Sequence, residues 1–422
     1  MRIMNLFESL RLYAVTDENG NQVEKVRQAL AGGATFIQYR AKGGCDFDTA
    51  VKMRDLCRAY HVPFVLDDDV EMAKACGADG VHVGQSDASA VEARRILGED
   101  AIVGVSAGNL TEALKAVADG ADYIGTGAMF PTTTKMDAEY VEYNTLKTIC
   151  TSVPVPVVAI GGIGEHNIAK LAGSGIAGVA VVSAVFSQPD IVKAARILDK
   201  LTKETDFRAE AKRAFILDFD GTMYDSMSIW AHLADDFLIS CGKVPRPDLS
   251  EKLKDWGLRD GIIYLRDAYG IACSREEAVQ RFSDLLTTAY QACQLKPGVF
   301  AMADYLKSHG LLPCIATAGD QSAVKMILKR ENLTDSFGPV FSSTTLETDK
   351  TSPEFFYRVL EKLGASLNGS VMFDDAPFAL RAGYRAGLKC VRILDSAWTD
   401  SGEVEADETV STLEEWLNHH KD

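Results

Sequence analysis

Two carboxylates spaced by two, Asp218 and Asp220 in Asp218-Phe219-Asp220-Gly221-Thr222, close the apolar run Ala214-Phe215-Ile216-Leu217. A buried strand that ends this way presents both at its carboxyl end. There Asp218 can attack phosphorus as a nucleophile, Asp220 can protonate the departing alkoxide, and a metal ion can restrain both charges against an incoming phosphate. The first half of the chain carries a different set. Gln38, Arg40 and Lys42 share one side of an extended segment by its two-residue period and could grip an anion. The triplet Asp67-Asp68-Asp69, with Asp87 further on, is costly through mutual repulsion unless a cation neutralises it, which a magnesium ion bridging Asp68 and Asp87 to a pyrophosphate would do. Standing alone, the triplet also reads as a solvated acidic loop. Thr132, Thr133, Thr134 and Lys135 put three hydroxyls and a cation in one loop. Gly161-Gly162-Ile163-Gly164 and Val182-Ser183-Ala184 would let backbone N–H groups approach a phosphate.

These residues need elements to hold them. From residue 12 to 184 one unit recurs: a short apolar or alternating strand, a Gly or polar turn, and an amphipathic helix. Eight strands are expected, at 12–16, 36–40, 64–68, 80–84, 102–106, 123–127, 155–160 and 179–183. Parallel strands need crossover helices, and an eighth strand can pair with the first, so the pattern predicts a (β/α)₈ TIM barrel, with an open doubly wound sheet as the alternative. Most of the candidate residues then fall at the carboxyl ends of strands, where barrel sites gather. Residues 206–213 are charged and lack glycine, and read as a linker between a unit at 1–205 and a second α/β unit at 214–422. A mostly helical insertion is expected at about 226–296. Its Trp256, Tyr264 and Tyr269 could stack on a ring, although aromatic residues in a small helical bundle are commonly core.

The chain has 422 residues, enough for two cores, and a net charge of −16 without any basic run, which argues against a nucleic-acid partner. Small anionic substrates, held by local cations and metal ions, remain compatible. The nine cysteines show no Cys-x-x-Cys pair and read as core residues. Neither a leader nor a membrane span is recognised, so a cytoplasmic location is expected. A homo-oligomer is compatible with the sequence.

Several motifs in order carry a resemblance. Gln38 to Lys42, Asp67 to Glu71, the run from Gly77 to Gln85, Gly104-Val105-Ser106, Pro131 to Lys135, Ile160 to Ile163 and Val181 to Ala184 resemble thiamine-phosphate synthase. The resemblance implies that an aminopyrimidine methyl diphosphate is joined to thiazole phosphate, with release of pyrophosphate. It implies that Arg40, Lys42, Ser106 and Lys135 hold the pyrophosphate, Asp68 and Asp87 hold magnesium, and Thr132, Thr134, Gly162 and Ser183 hold the thiazole phosphate, with Gln38, Asp67 and Val182 also at the site. Asp67 stands where that family usually has Asn, an added negative charge beside pyrophosphate. A related branch is a thiazole tautomerase without the full pyrophosphate site; Asp68, Asp87 and Lys135 favour the synthase.

The second half resembles the phosphatase branch of the haloacid dehalogenase superfamily. On that resemblance the fold is Rossmann-like with a helical cap, Thr317 binds a phosphoryl oxygen, Lys350 neutralises charge, and Asp374, supported by Asp375, joins Asp218 and Asp220 at magnesium. Ala318 and Ala376-Pro377 depart from the usual pattern. Together the halves imply synthesis of thiamine phosphate followed by hydrolysis of a phosphate monoester, with thiamine phosphate itself the expected substrate. An unrelated monoester, or a barrel that senses thiamine phosphate for the phosphatase, are the alternatives.

Overall fold

The computed structural model describes residues 2–41, 43–85, 88–132, 139–253, 258–398 and 404–420. The chain divides into two compact units, Met1–Ala211 and Lys212–Asp422.

In the first unit eight parallel strands form a closed barrel: β1 Leu12–Val15, β2 Phe36–Tyr39, β3 Phe64–Asp67, β4 Gly80–Val83, β5 Ile102–Ser106, β6 Tyr123–Thr126, β7 Val157–Ile160 and β8 Gly178–Val181. Closure is made by β1 on β8, with Leu12 opposite Val179. The expected TIM barrel is thus observed, with one local difference: between β7 and β8 the crossover carries only a 3₁₀ turn, Ile168–Leu171. Helix starts follow their capping residues. Asn21, Asp46, Asp69, Ser89, Asn109 and Asp190 each accept a hydrogen bond from a backbone N–H in the first helical turn. Asp69 of the acidic triplet is therefore one of these caps.

The last helix of this unit, Ile191–Glu204, is latched to the barrel through Arg11, whose guanidinium pairs with Asp199. Beyond it, the segment expected to be linker begins as part of the barrel. Gly173 and Gly175 donate backbone hydrogen bonds to the carbonyls of Asp206 and Phe207, and Phe207 is buried in the barrel core.

The second unit is a six-stranded parallel sheet of order β11-β10-β9-β12-β13-β14. Its strands are β9 Arg213–Leu217, β10 Leu312–Thr317, β11 Val340–Ser342, β12 Ser366–Asp374, β13 Lys389–Ile393 and β14 Glu408–Val410. Because β9 lies between β10 and β12, the strand order reverses beside it, and a crevice opens beyond its carboxyl end where such sheets bind ligands. Between β9 and β10 the chain makes the expected helical cap, with helices including Leu233–Ser240, Leu258–Ala268 and Arg275–Tyr290. Its two ends are joined in a short neck: Tyr224 bridges Leu295, and Lys296 donates to the carbonyl of Met223 at 2.9 Å. All nine cysteines are free. Among the described residues no helix is long and apolar enough to cross a membrane.

Candidate active sites

In the second unit Asp218 follows β9 directly and Asp374 ends β12, so two adjacent strands deliver two buried carboxylates to one point. Lys350, 2% exposed, reaches that point from the approach to helix Pro353–Leu363. Its ammonium bonds to Asp218 and lies 2.8 Å from Asp374 Oδ2. Burial opposes its charge, but Asp218 and Asp374 outweigh burial and hold its pKa above that of an ordinary lysine. Asp375 Oδ2 accepts from the indole of Trp398 at 2.8 Å. Burial, with Asp374 adding to it, pushes the Asp375 carboxyl up to about 8. Asp218 is raised well above the carboxylate range by burial, against the attraction of Lys350. One lysine thus faces a surplus of carboxylates.

That surplus decides whether magnesium suits the site. Asp218, Asp374 and Asp375 each offer a buried carboxylate oxygen, and these atoms lie within 4.8 Å of one another; Asp220, expected as a ligand, is not in this group, and Asp375, expected only in support, is. An all-oxygen donor set of this spacing and charge fits the ion. Gly221 shows how tightly the loop after β9 is wrapped: its φ is +80°, and a Cβ there would lie 2.2 Å from Asp375 Oδ2. No other residue type fits.

Asp220 is held from the cap side. Ser226 Oγ donates to its Oδ1 at 2.5 Å, and the Tyr290 hydroxyl donates to the same oxygen. Burial raises its pKa, against these two hydrogen bonds. The Trp230 indole N–H lies close enough to favour the charged form of Asp220, yet makes no hydrogen bond of ordinary geometry. Thr317 ends β10 with its hydroxyl accepting from Gly319 N at 2.8 Å. Asp218, Asp220, Thr317, Lys350, Asp374 and Asp375 all line one cavity of about 370 Å³.

In the barrel, a cavity of about 390 Å³ gathers Gln38, Arg40, Asp67, Asp68, Ser106, Thr132, Gly162, Val182 and Ser183. Lys42, Asp87, Thr134 and Lys135 lie outside the described residues. Asp68 adopts a left-handed backbone, φ 60°, uncommon for a residue with a side chain, and its Oδ1 accepts from Gly84 N at 3.3 Å. As an oxygen donor lining the cavity it suits magnesium, and Asp87 is the second carboxylate expected there. Gly162, φ +64°, packs so closely that a Cβ would lie 2.5 Å from the carbonyl of Pro131.

Beneath this cavity runs a chain of hydrogen bonds through six strands. Arg40 pairs with Asp67 at 3.2 Å, and Gln38 Nε2 donates to Asp67 Oδ1. The Tyr13 hydroxyl donates to Gln38 Oε1 at 2.6 Å and stands 2.8 Å from the Tyr123 hydroxyl. His82 touches Tyr123 through Nδ1 and Ser106 through Nε2, each at 3.0 Å. Each phenol has one proton to give, so Tyr123 donates to Tyr13 and His82 Nδ1–H donates to Tyr123; on a neutral imidazole Ser106 then donates to His82 Nε2.

Residues 12–185 match the family model described as thiamine monophosphate synthase. The thiamine-phosphate synthase of Ruminiclostridium cellulolyticum is 46% identical over 194 residues, 44% of this chain and 92% of that one. The chain belongs to the thiamine-phosphate synthase family. Its second half is a haloacid dehalogenase-like hydrolase domain, matched over residues 215–393. The thiamine biosynthesis bifunctional protein ThiED of Geobacter sulfurreducens is 45% identical over 187 residues, 44% of this chain and 38% of that one. The solved thiamine phosphate pyrophosphorylase from Pyrococcus furiosus is 40% identical, with TM-score 0.44, covering 47% of this chain and 98% of that one.

In the synthase domain, Tyr13 and Tyr123 were not expected as parts of the site; each is an aromatic residue in a largely apolar strand and carried no signal that separates it from core. In the hydrolase domain the residues missed are Ser226, Tyr290, Trp230 and Trp398. Tyr264 and Tyr269 do not line the hydrolase cavity but pack against the core, and Trp256 lies outside the described residues.

Proposed function

We propose that the synthase domain joins the aminopyrimidine methyl diphosphate to thiazole phosphate, and that the hydrolase domain then removes the phosphate of the resulting thiamine phosphate. The observation that carries this reading is the presence, in one chain, of a synthase-family barrel and a second cavity built around a nucleophile-and-acid pair, Asp218 and Asp220.

In the barrel, Arg40, Lys42, Ser106 and Lys135 would hold the departing pyrophosphate, and Thr132, Thr134, Gly162 and Ser183 the thiazole phosphate. Asp68 and Asp87 would hold magnesium, which supplies positive charge against the leaving group. The pyrimidine C–O bond breaks with its electrons going to pyrophosphate, and the thiazole nitrogen takes up the resulting cation. His82 keeps Ser106 in place from below.

In the hydrolase domain, Asp218, Asp374 and Asp375 would hold magnesium, whose charge lets a phosphate dianion enter an acidic cavity. Lys350 orients Asp218, and Thr317 offers its hydroxyl to a phosphoryl oxygen. An Asp218 oxygen attacks phosphorus, the ester P–O bond breaks, and Asp220 gives its proton to the leaving alkoxide. Asp220 then takes a proton from water, which attacks phosphorus and frees Asp218 and inorganic phosphate.

The test is to supply both barrel substrates and magnesium and identify all products by mass. Wild type should yield thiamine, pyrophosphate and inorganic phosphate, whereas Asp218→Asn should accumulate thiamine phosphate. Wild type that stops at thiamine phosphate would falsify the coupling and leave the hydrolase domain with another monoester.

A further inference from the structure

Above its reacting groups, the hydrolase cavity has a wall of unusual poverty in polar atoms. The cap contributes Met227, Leu233, Leu258, Ile262 and Leu265, with Trp230 and Phe282 supplying ring surface. Apart from Thr317, Lys350, the carboxylates already described and two indoles, the single polar side chain among the described lining residues is Asp235. It sits in the first turn of the cap helix Leu233–Ser240 and is half-buried. The indole of Trp230 stands at the border of the two regions: a Cβ on Gly319 would meet both Asp220 Oδ2, at 3.0 Å, and Trp230 Cζ2, at 3.4 Å. A leaving group whose oxygen reaches Asp220 thus has that indole close beside it.

We propose that the cap side of this cavity is a subsite for a flat, apolar leaving group that carries a positive charge, with Trp230 and Phe282 against its ring and Asp235 as the counter-charge. The subsite deepens the reading given under Proposed function, since the thiazolium and aminopyrimidine of thiamine phosphate have this chemistry, but its own footing is the wall. A sugar phosphate would bring several hydroxyls to carbon surface, and each one buried without a partner weakens binding by about tenfold. A neutral aromatic alcohol would satisfy the wall and leave Asp235 idle. A cationic ring uses both, through the faces of the aromatic side chains and the carboxylate.

The experiment compares three esters on the full chain with magnesium: benzyl phosphate, its para-trimethylammonium derivative, and glucose 6-phosphate. The cationic ester should exceed benzyl phosphate in kcat/KM by about tenfold, the worth of one charged contact, and glucose 6-phosphate should trail both. Asp235→Asn should bring the ratio of cationic to neutral ester near one, and Asp235→Lys should invert it. A wild type that prefers the sugar phosphate, or a ratio that Asp235→Asn leaves untouched, overturns the subsite. Thiamine phosphate is run beside them. If it is not hydrolysed while the cationic ester is still preferred, the coupling fails and the subsite stands.

Discussion

The two sites balance charge in opposite ways. In the synthase cavity the extra carboxylate, Asp67, meets Arg40 and Gln38, and from Gln38 a run of hydrogen bonds through Tyr13, Tyr123 and His82 reaches Ser106. In the hydrolase cavity Asp218, Asp374 and Asp375 crowd around one ammonium, all of them buried. Around Asp67 the counter-charge comes from the protein itself. The second site is left short of positive charge, which is the condition under which a divalent cation and a phosphate are taken up together. The proposed reactions differ in the same way: departure of an already ionised pyrophosphate would need a held anion, whereas attack by a carboxylate on a phosphate dianion would need repulsion removed.

The largest expected effect isolates one site from the other. Asp218→Asn should lower hydrolysis of any monoester by about a thousandfold or more, because the nucleophile itself is removed, while pyrophosphate release by the barrel stays within twofold. Equal loss of both activities would contradict two separate sites. Next comes the buried cation. Lys350→Met removes the ammonium that pairs with Asp218 and Asp374 in a cluster of buried carboxylates and should destabilise the second unit by about 3 kcal/mol in magnesium-free buffer. Thermal unfolding with and without magnesium checks this, and added magnesium should restore more stability to the variant than to wild type.

How far the sequence announced these arrangements depends on where each partner sits along the chain. Asp218, Asp220, Thr317 and Asp374 are legible because each terminates or follows an apolar strand, and a parallel sheet brings such termini together whatever the loops do; Lys350, at the approach to a helix, was named only through the resemblance. The closed barrel was equally legible from its recurring unit. Ser226 and Tyr290 were not, since their role depends on the cap folding back so that its first and last residues meet at Asp220. Tyr13 and Tyr123 were hidden for a related reason: an aromatic residue in an apolar strand reads as core, and only closure of the barrel sets the two hydroxyls 2.8 Å apart. Asp67 was legible as an added negative charge but its partner was not: Arg40, one residue past the adjacent strand, pairs with it once the strands lie side by side.

A smaller effect concerns where the first unit ends. Phe207 belongs to the barrel core and its carbonyl accepts from Gly175, so a fragment 1–205 gives up contacts that a fragment 1–211 keeps. Burial of one phenylalanine is worth about 2 kcal/mol. Urea unfolding should place the shorter fragment below the longer one by that amount, and coincident curves would show that the segment 206–211 is a linker throughout. Smaller again is the cap's hold on the acid. Tyr290→Phe removes one of two hydrogen bonds to Asp220 Oδ1, and should lower kcat for monoester hydrolysis by about tenfold with KM and barrel activity little changed. A change confined to KM would place Tyr290 with substrate binding instead.

The smallest effect tests the self-balanced site directly. Asp67→Asn keeps an oxygen that can accept from Gln38 and so preserves the start of the hydrogen-bond chain, but it releases Arg40 from its ion pair. Both partners of that pair are partly exposed, at 22% and 18% of side-chain surface, so the stability lost should be no more than about 1 kcal/mol. The freed guanidinium can then face the diphosphate, and KM for that substrate should fall by about threefold with kcat unchanged, the modest gain expected of one charge at the rim of a wet cavity. A rise in KM of similar size would reverse the interpretation. It would mean that Asp67 holds Arg40 in its productive position, so that the carboxylate serves the anion it would otherwise repel by fixing the cation that binds it.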